Sequence, residues 1–223
     1  MAPAAFGIST LIIESANDTL NLNNYVNILS AILSAFTALI LISTYRGFTA
    51  YEYEQNFIFT SPINPTKFLA ANILADLTAF LLFFYPAPLL LGIVTISLNL
   101  PAVSVLSMIL SFSIFVLFLI LLKTSLSIFM SFYESIWLKS TVMFTVAGLL
   151  LPIISLFIPS PLSYNNLPYP SSLLAQSMID AIVGESPKTY TVFGLAVYLL
   201  AALMLFHLSV KKNVFQVAST VPL

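Results

Sequence analysis

The chain has 223 residues, of which 60% are hydrophobic and only 7% are charged, against about 25% charged in an ordinary soluble domain, so a water-soluble fold is excluded. A net charge of -1 supplies no basic field for a nucleic-acid backbone, and nucleic acid is not an expected partner. With no cysteine and a single histidine, His207, neither a thiolate metal site, a cysteine nucleophile nor bis-histidine haem ligation can be assembled, and no metal or cofactor is expected.

In chain order, residues 1–22 form a tail without a basic region leading into a long apolar core, so no cleavable signal peptide is expected. Backbone amides inside a bilayer must be bonded internally, and apolar runs of about 20 residues therefore predict helices. Five are drawn, at about 25–45, 68–98, 101–131, 138–157 and 189–208. The expected fold is an all-α polytopic membrane bundle, one transmembrane domain over 1–223 with no internal repeat or linker. Pro86 and Pro88 should kink the second span. Asn64 before Pro65 and Ser186 before Pro187 read as helix-start signals.

Basic residues collect on the cytoplasmic side of span ends. Arg46, Lys67, Lys139, Lys211 and Lys212 fall on one side and Lys188 on the other. The C-terminus is therefore expected in the cytoplasm and the N-terminus outside. Lys123 lies 22 residues beyond Pro101, roughly 33 Å along a helix, where its ammonium can snorkel into water. The sequon Asn17-Asp18-Thr19 falls on the expected outer side.

Residues 46–67 join the first two spans and mix Arg46, Glu52, Glu54 and Lys67 with Phe48, Tyr51, Tyr53, Phe57, Ile58 and Phe59. That pattern suits a short helix at the membrane surface, stopped by Thr60-Ser61-Pro62. Taken alone it reads by default as a plain amphipathic connector. The stretch Phe59-Thr60-Ser61-Pro62-Ile63-Asn64-Pro65-Thr66-Lys67-Phe68-Leu69, however, resembles the segment after the coupling helix of type-2 ATP-binding-cassette (ABC) permeases. In that family an acidic amphipathic segment precedes a Ser/Thr-Pro-apolar turn and a membrane helix. The later order also resembles the family: two spans, a cytoplasmic bend, a span ending near proline, an external loop, a last span and a basic tail.

The likeness covers the chain from Tyr25 and is sharpest over about a dozen residues. Family members usually have six spans with both termini inside, and carry a Gly-Thr where this chain reads Glu52-Tyr53-Glu54-Gln55-Asn56. The resemblance implies that 51–63 meets an ABC ATPase subunit, with Tyr51, Glu52, Glu54, Phe57, Ser61 and Pro62 as coupling candidates. It also implies a second permease subunit, identical or related. No phosphate-binding Gly-rich loop with Lys and Ser/Thr is present, so the chain is not expected to be an enzyme and ATP hydrolysis would belong to a separate subunit.

Asp76 lies nine residues past Lys67, about 14 Å along a helix and near the middle of a roughly 30 Å hydrocarbon core. An ionised carboxylate there costs a few kcal/mol at least. It reads as a polar point on a transport path or a proton-linked site, or else as a side chain bonded to a neighbouring helix or lying shallower because the helix begins in the cytoplasm. Glu134 and Lys139 read as a solvated pair at the cytoplasmic bend, and His207 as an interfacial residue in the last turn. Within the external loop, 159–187, Ser171 to Val183 reads as a short helix with Gly184 as its stop, placed at the outer interface. The family has short helices here that form part of the exit; an aromatic lid on the membrane surface is the plainer reading.

The expected function is the permease subunit of an exporter in the cell membrane, moving a substrate the residues do not identify. The alternative is a non-catalytic subunit of a larger membrane complex, such as a respiratory or oxidase assembly. A secondary transporter working through Asp76 is disfavoured because the spans show no paired halves.

Overall fold

The computed structural model describes residues 22–43, 71, 73–75, 78, 99–132, 136–154, 157–158, 161, 164, 166–185 and 188–210. Five complete helices run through them: α1 (Leu22–Ser43), α2 (Ala102–Phe132), α3 (Ile136–Ile154), α4 (Pro170–Val183) and α5 (Thr189–Ser209). No strand occurs among the described residues. Among the described residues three stretches are long and apolar enough to cross a membrane, Asn23–Ile42, Ala102–Phe129 and Thr189–Ser209, and Lys139–Ile154 is a shorter apolar helix. The protein is thus an all-helical bundle with the character of a membrane protein.

Polar residues enter these apolar helices by bonding their own backbone. Ser30 donates to the Val26 carbonyl at 2.6 Å, Thr37 to Leu33 at 2.8 Å and Thr124 to Ile120 at 2.8 Å. Such back-bonds satisfy a hydroxyl without water or a partner helix. The outward residues are apolar as well, Ile32 and Leu39 on α1, Leu106 and Ile109 on α2, Phe193 and Leu200 on α5. Apolar character on all sides marks a helix with lipid around it rather than one side in water.

Packing fixes the directions of the helices. Val26 and Met108, both near the starts of their helices, share a cluster with Ile179 and Ile182 of α4. Ala38 and Leu41, near the end of α1, meet Val146 of α3 beside Leu122 and Leu126 of α2. Hence α1 and α2 run the same way. Lys188, at the start of α5, interacts with Asp180 near the end of α4, while Leu195 and Ala202 pack farther along α2 with Phe115, Phe118 and Leu119. So α5 runs with α1 and α2.

In α4 lies the main departure from the sequence expectation. The helix and its stop are as read: Gly184 adopts φ 83°, its N–H donates to Ala181, and the Glu185 N–H donates to Asp180, the left-handed cap that glycine supplies without steric cost. The helix does not lie free on the surface of the bundle. Eleven of its residues, from Pro170 to Ile182, are buried, and it packs against α1, α2 and α5. At 14 residues it is about 21 Å long, short of a roughly 30 Å core. One face meets α5 so closely that a Cβ on Gly194 would lie 2.6 Å from Leu173 Cδ1.

The other bounds shift slightly. α1 starts three residues before Tyr25, and α3 ends at Ile154, where Phe157 and Ile158 both donate to the Ile154 carbonyl. α5 begins after Lys188, with no side chain capping it; Thr191 Oγ1 instead donates to the Lys188 carbonyl at 2.6 Å. The start signals at Asn64 and at Ser186-Pro187, and the prolines of the second span, lie outside the described residues.

Candidate functional site

The residues singled out for coupling, Tyr51, Glu52, Glu54, Phe57, Ser61 and Pro62, and the intramembrane Asp76 all lie outside the described residues, as does Glu134. Of the other polar residues read from sequence, Lys123 is half-buried in α2 and His207 is exposed in the last turn of α5.

The polar arrangement that the described residues do build surrounds α4. Two pairs of serine hydroxyls bond between helices. Ser34 of α1 meets Ser171 in the first turn of α4, Oγ to Oγ 2.7 Å, and Ser111 of α2 meets Ser177 of α4, also at 2.7 Å. All four serines are buried. Buried hydroxyl pairs between membrane helices contribute about 0.6 kcal/mol on average and up to roughly 1.7. Their spacing puts one bond at each of two levels of α4, holding it to α1 and to α2.

The turn leading into α4 is held from the other side. Tyr198 of α5 donates to the Pro168 carbonyl at 2.9 Å. Tyr164 and Tyr169 stack edge to face, centroids 5.6 Å apart. Ser172 Oγ lies 2.9 Å from the Tyr169 carbonyl and 3.2 Å from that of Leu167. Tyr164 is 3% exposed, and its hydroxyl sits beside Ser34 without a well-formed hydrogen bond. Burial raises its pKa above the ordinary 10.0, Ser34 opposing and Tyr169 adding to the rise. The phenol is therefore neutral at physiological pH and acts as a hydrogen-bonding group rather than a charge.

At the far end of α4, Asp180 is 8% exposed and one carboxylate oxygen, Oδ2, has no partner. Desolvation raises its pKa above 3.8; the charge and backbone N–H of Lys188 oppose that rise, and Glu185 adds to it. Chemically, the arrangement is a run of neutral hydroxyls ending in one buried acid. It can bond polar atoms and hold a proton, and it offers no nucleophile–base pair. Among the described residues no cluster of His, Asp or Glu could hold a metal ion.

None of Ser34, Ser111, Ser171, Ser177 or Asp180 was distinguished by the sequence reading. A signal existed: Ser30, Ser34 and Thr37, and Ser104, Ser107 and Ser111, recur at helical spacing in otherwise apolar runs. No protein-family model matches the chain, and no curated protein or solved structure matches it either.

Proposed function

We propose that the chain is the permease subunit of an ABC exporter, with five spans, Met1 outside, Leu223 in the cytoplasm, and ATP hydrolysed by a partner ATPase beneath a pair of permease subunits in the cell membrane. The observation that carries the reading is the segment from Tyr51 to Leu69, an acidic amphipathic run joined through Ser61-Pro62 to a long apolar run. Helix directions support the span count. Because α1 and α2 run the same way, the chain between them must return, and Phe68 to Leu98 is apolar enough to do so. Between α2 and α5 the return is α3. The short helix α4, held among α1, α2 and α5 by serine pairs, precedes the last span in chain order, as short external helices do in the family.

The test is composition and coupling together. Purified from its native membrane, the chain is expected to bring an ATPase carrying a phosphate-binding loop. Reversing Glu52 and Glu54 to Lys should uncouple hydrolysis from transport while the spans stay folded. A complex holding redox subunits and no ATPase would replace this reading with the alternative of a structural subunit.

A further inference from the structure

Along α3 runs an open groove of about 460 Å³ whose described lining is Ile136, Lys139, Ser140, Met143, Phe144 and Ala147, with Ile136, Met143 and Phe144 exposed. The spacing i, i+3, i+4, i+7, i+8, i+11 places these residues on one stripe of the helix. From Ile136 to Ala147 the stripe climbs 11 residues, about 16 Å, which is half of a roughly 30 Å hydrocarbon core, the depth of one leaflet.

Polar and apolar parts are separated along it. Lys139 and Ser140, both half-buried, lie at its beginning, beside Trp137 at 84% exposure and Ile136 at 79%. Exposed tryptophan is the residue that settles at the headgroup level. Beyond Ser140 the described lining is Met143, Phe144 and Ala147, all apolar. The two described carboxylates, Asp180 and Glu185, gather with Lys188 at the opposite end of the bundle, beside the starts of α1 and α2. Among the described residues no carboxylate pairs with Lys139.

We propose that this groove binds one anionic glycerophospholipid from the leaflet on the Lys139 side, its phosphate held by the Lys139 ammonium and the Ser140 hydroxyl and one acyl chain lying along Met143, Phe144 and Ala147. A cation with no carboxylate partner among the described residues attracts an anionic head, and the apolar described lining beyond it suits an acyl chain. The site needs only that α3 lies in the membrane; it does not depend on an ATPase.

The test uses the full chain in nanodiscs of equal parts phosphatidylglycerol and phosphatidylcholine, released into the gas phase for native mass spectrometry. Wild type is expected to retain one phosphatidylglycerol in preference to phosphatidylcholine. Lys139→Gln should lower that preference about fivefold, the effect of one basic residue near an anionic surface. Ala147→Trp, which fills the chain slot and keeps the cation, should lower retention of both lipids. Lys188→Gln, at the other end of the bundle, should change neither, and thermal unfolding of each variant verifies that the bundle remains folded. Equal retention of the two lipids by wild type, unchanged preference in Lys139→Gln, or an equal loss in Lys188→Gln would each overturn the proposal.

Discussion

Asp180 is a carboxyl that the fold keeps from water while placing Lys188 and Glu185 close by. Its folded pKa lies above 3.8, so between that value and the folded pKa the folded chain holds more proton than the unfolded one. Stability contributed by this group is complete below the unfolded pKa and is lost as pH rises through the folded pKa. Thermal unfolding in detergent, followed from about pH 4 upward, should show wild type losing ground to Asp180→Asn as pH rises. Parallel pH profiles for the two proteins would mean that the carboxyl is ionised and fully compensated. Tyr164 contributes no such dependence near neutrality, because its shift moves its titration upward from 10.0.

At the level of elements, the close approach of α4 to α5 rests on Gly194, where any side chain meets Leu173. Gly194→Leu is expected to cost about 1–3 kcal/mol by overpacking, read as a lowered unfolding temperature, and trimming Leu173 to Ala in the same chain should recover part of it. Gly148 faces open space, and Gly148→Leu should be near neutral. The helices were legible in the sequence because a run such as 102–132 has no alternative to a helix in lipid. The depth of α4 was not. A 14-residue segment between proline-rich stretches reads alike on a membrane surface or inside a bundle. What distinguishes it is the small-residue surface of Ser171, Ser172, Ala175, Ser177 and Ala181, which lets three helices approach at once. Nor does a serine in an apolar run reveal whether it bonds its own backbone, as Ser30 does, or a neighbour, as Ser34 does.

For the molecule as a whole, orientation and coupling are the two claims to test. With no native cysteine, single cysteines at Asn17, Gln55, Asn166 and Asn213 report sidedness cleanly. Asn166 is exposed on the protein surface, with only a 3.4 Å bond to the Pro161 carbonyl. An impermeant maleimide should reach positions 17 and 166 in intact cells and miss 55 and 213; the reverse pattern would invert the bundle.

Coupling is the central claim. In the proposed orientation an ATPase can drive this chain only through its cytoplasmic surface, and 46–67 is the longest stretch assigned to that side, set between two apolar runs read as spans, which could pass on a rigid-body push. Its acidic residues lie near Gln55 and Asn56. The most direct measurement is site-specific cross-linking from Gln55→Cys or Asn56→Cys in the native membrane, with the captured protein identified by mass spectrometry. The account predicts an ATPase bearing a phosphate-binding loop; capture of a redox subunit, or of lipid alone, would contradict it.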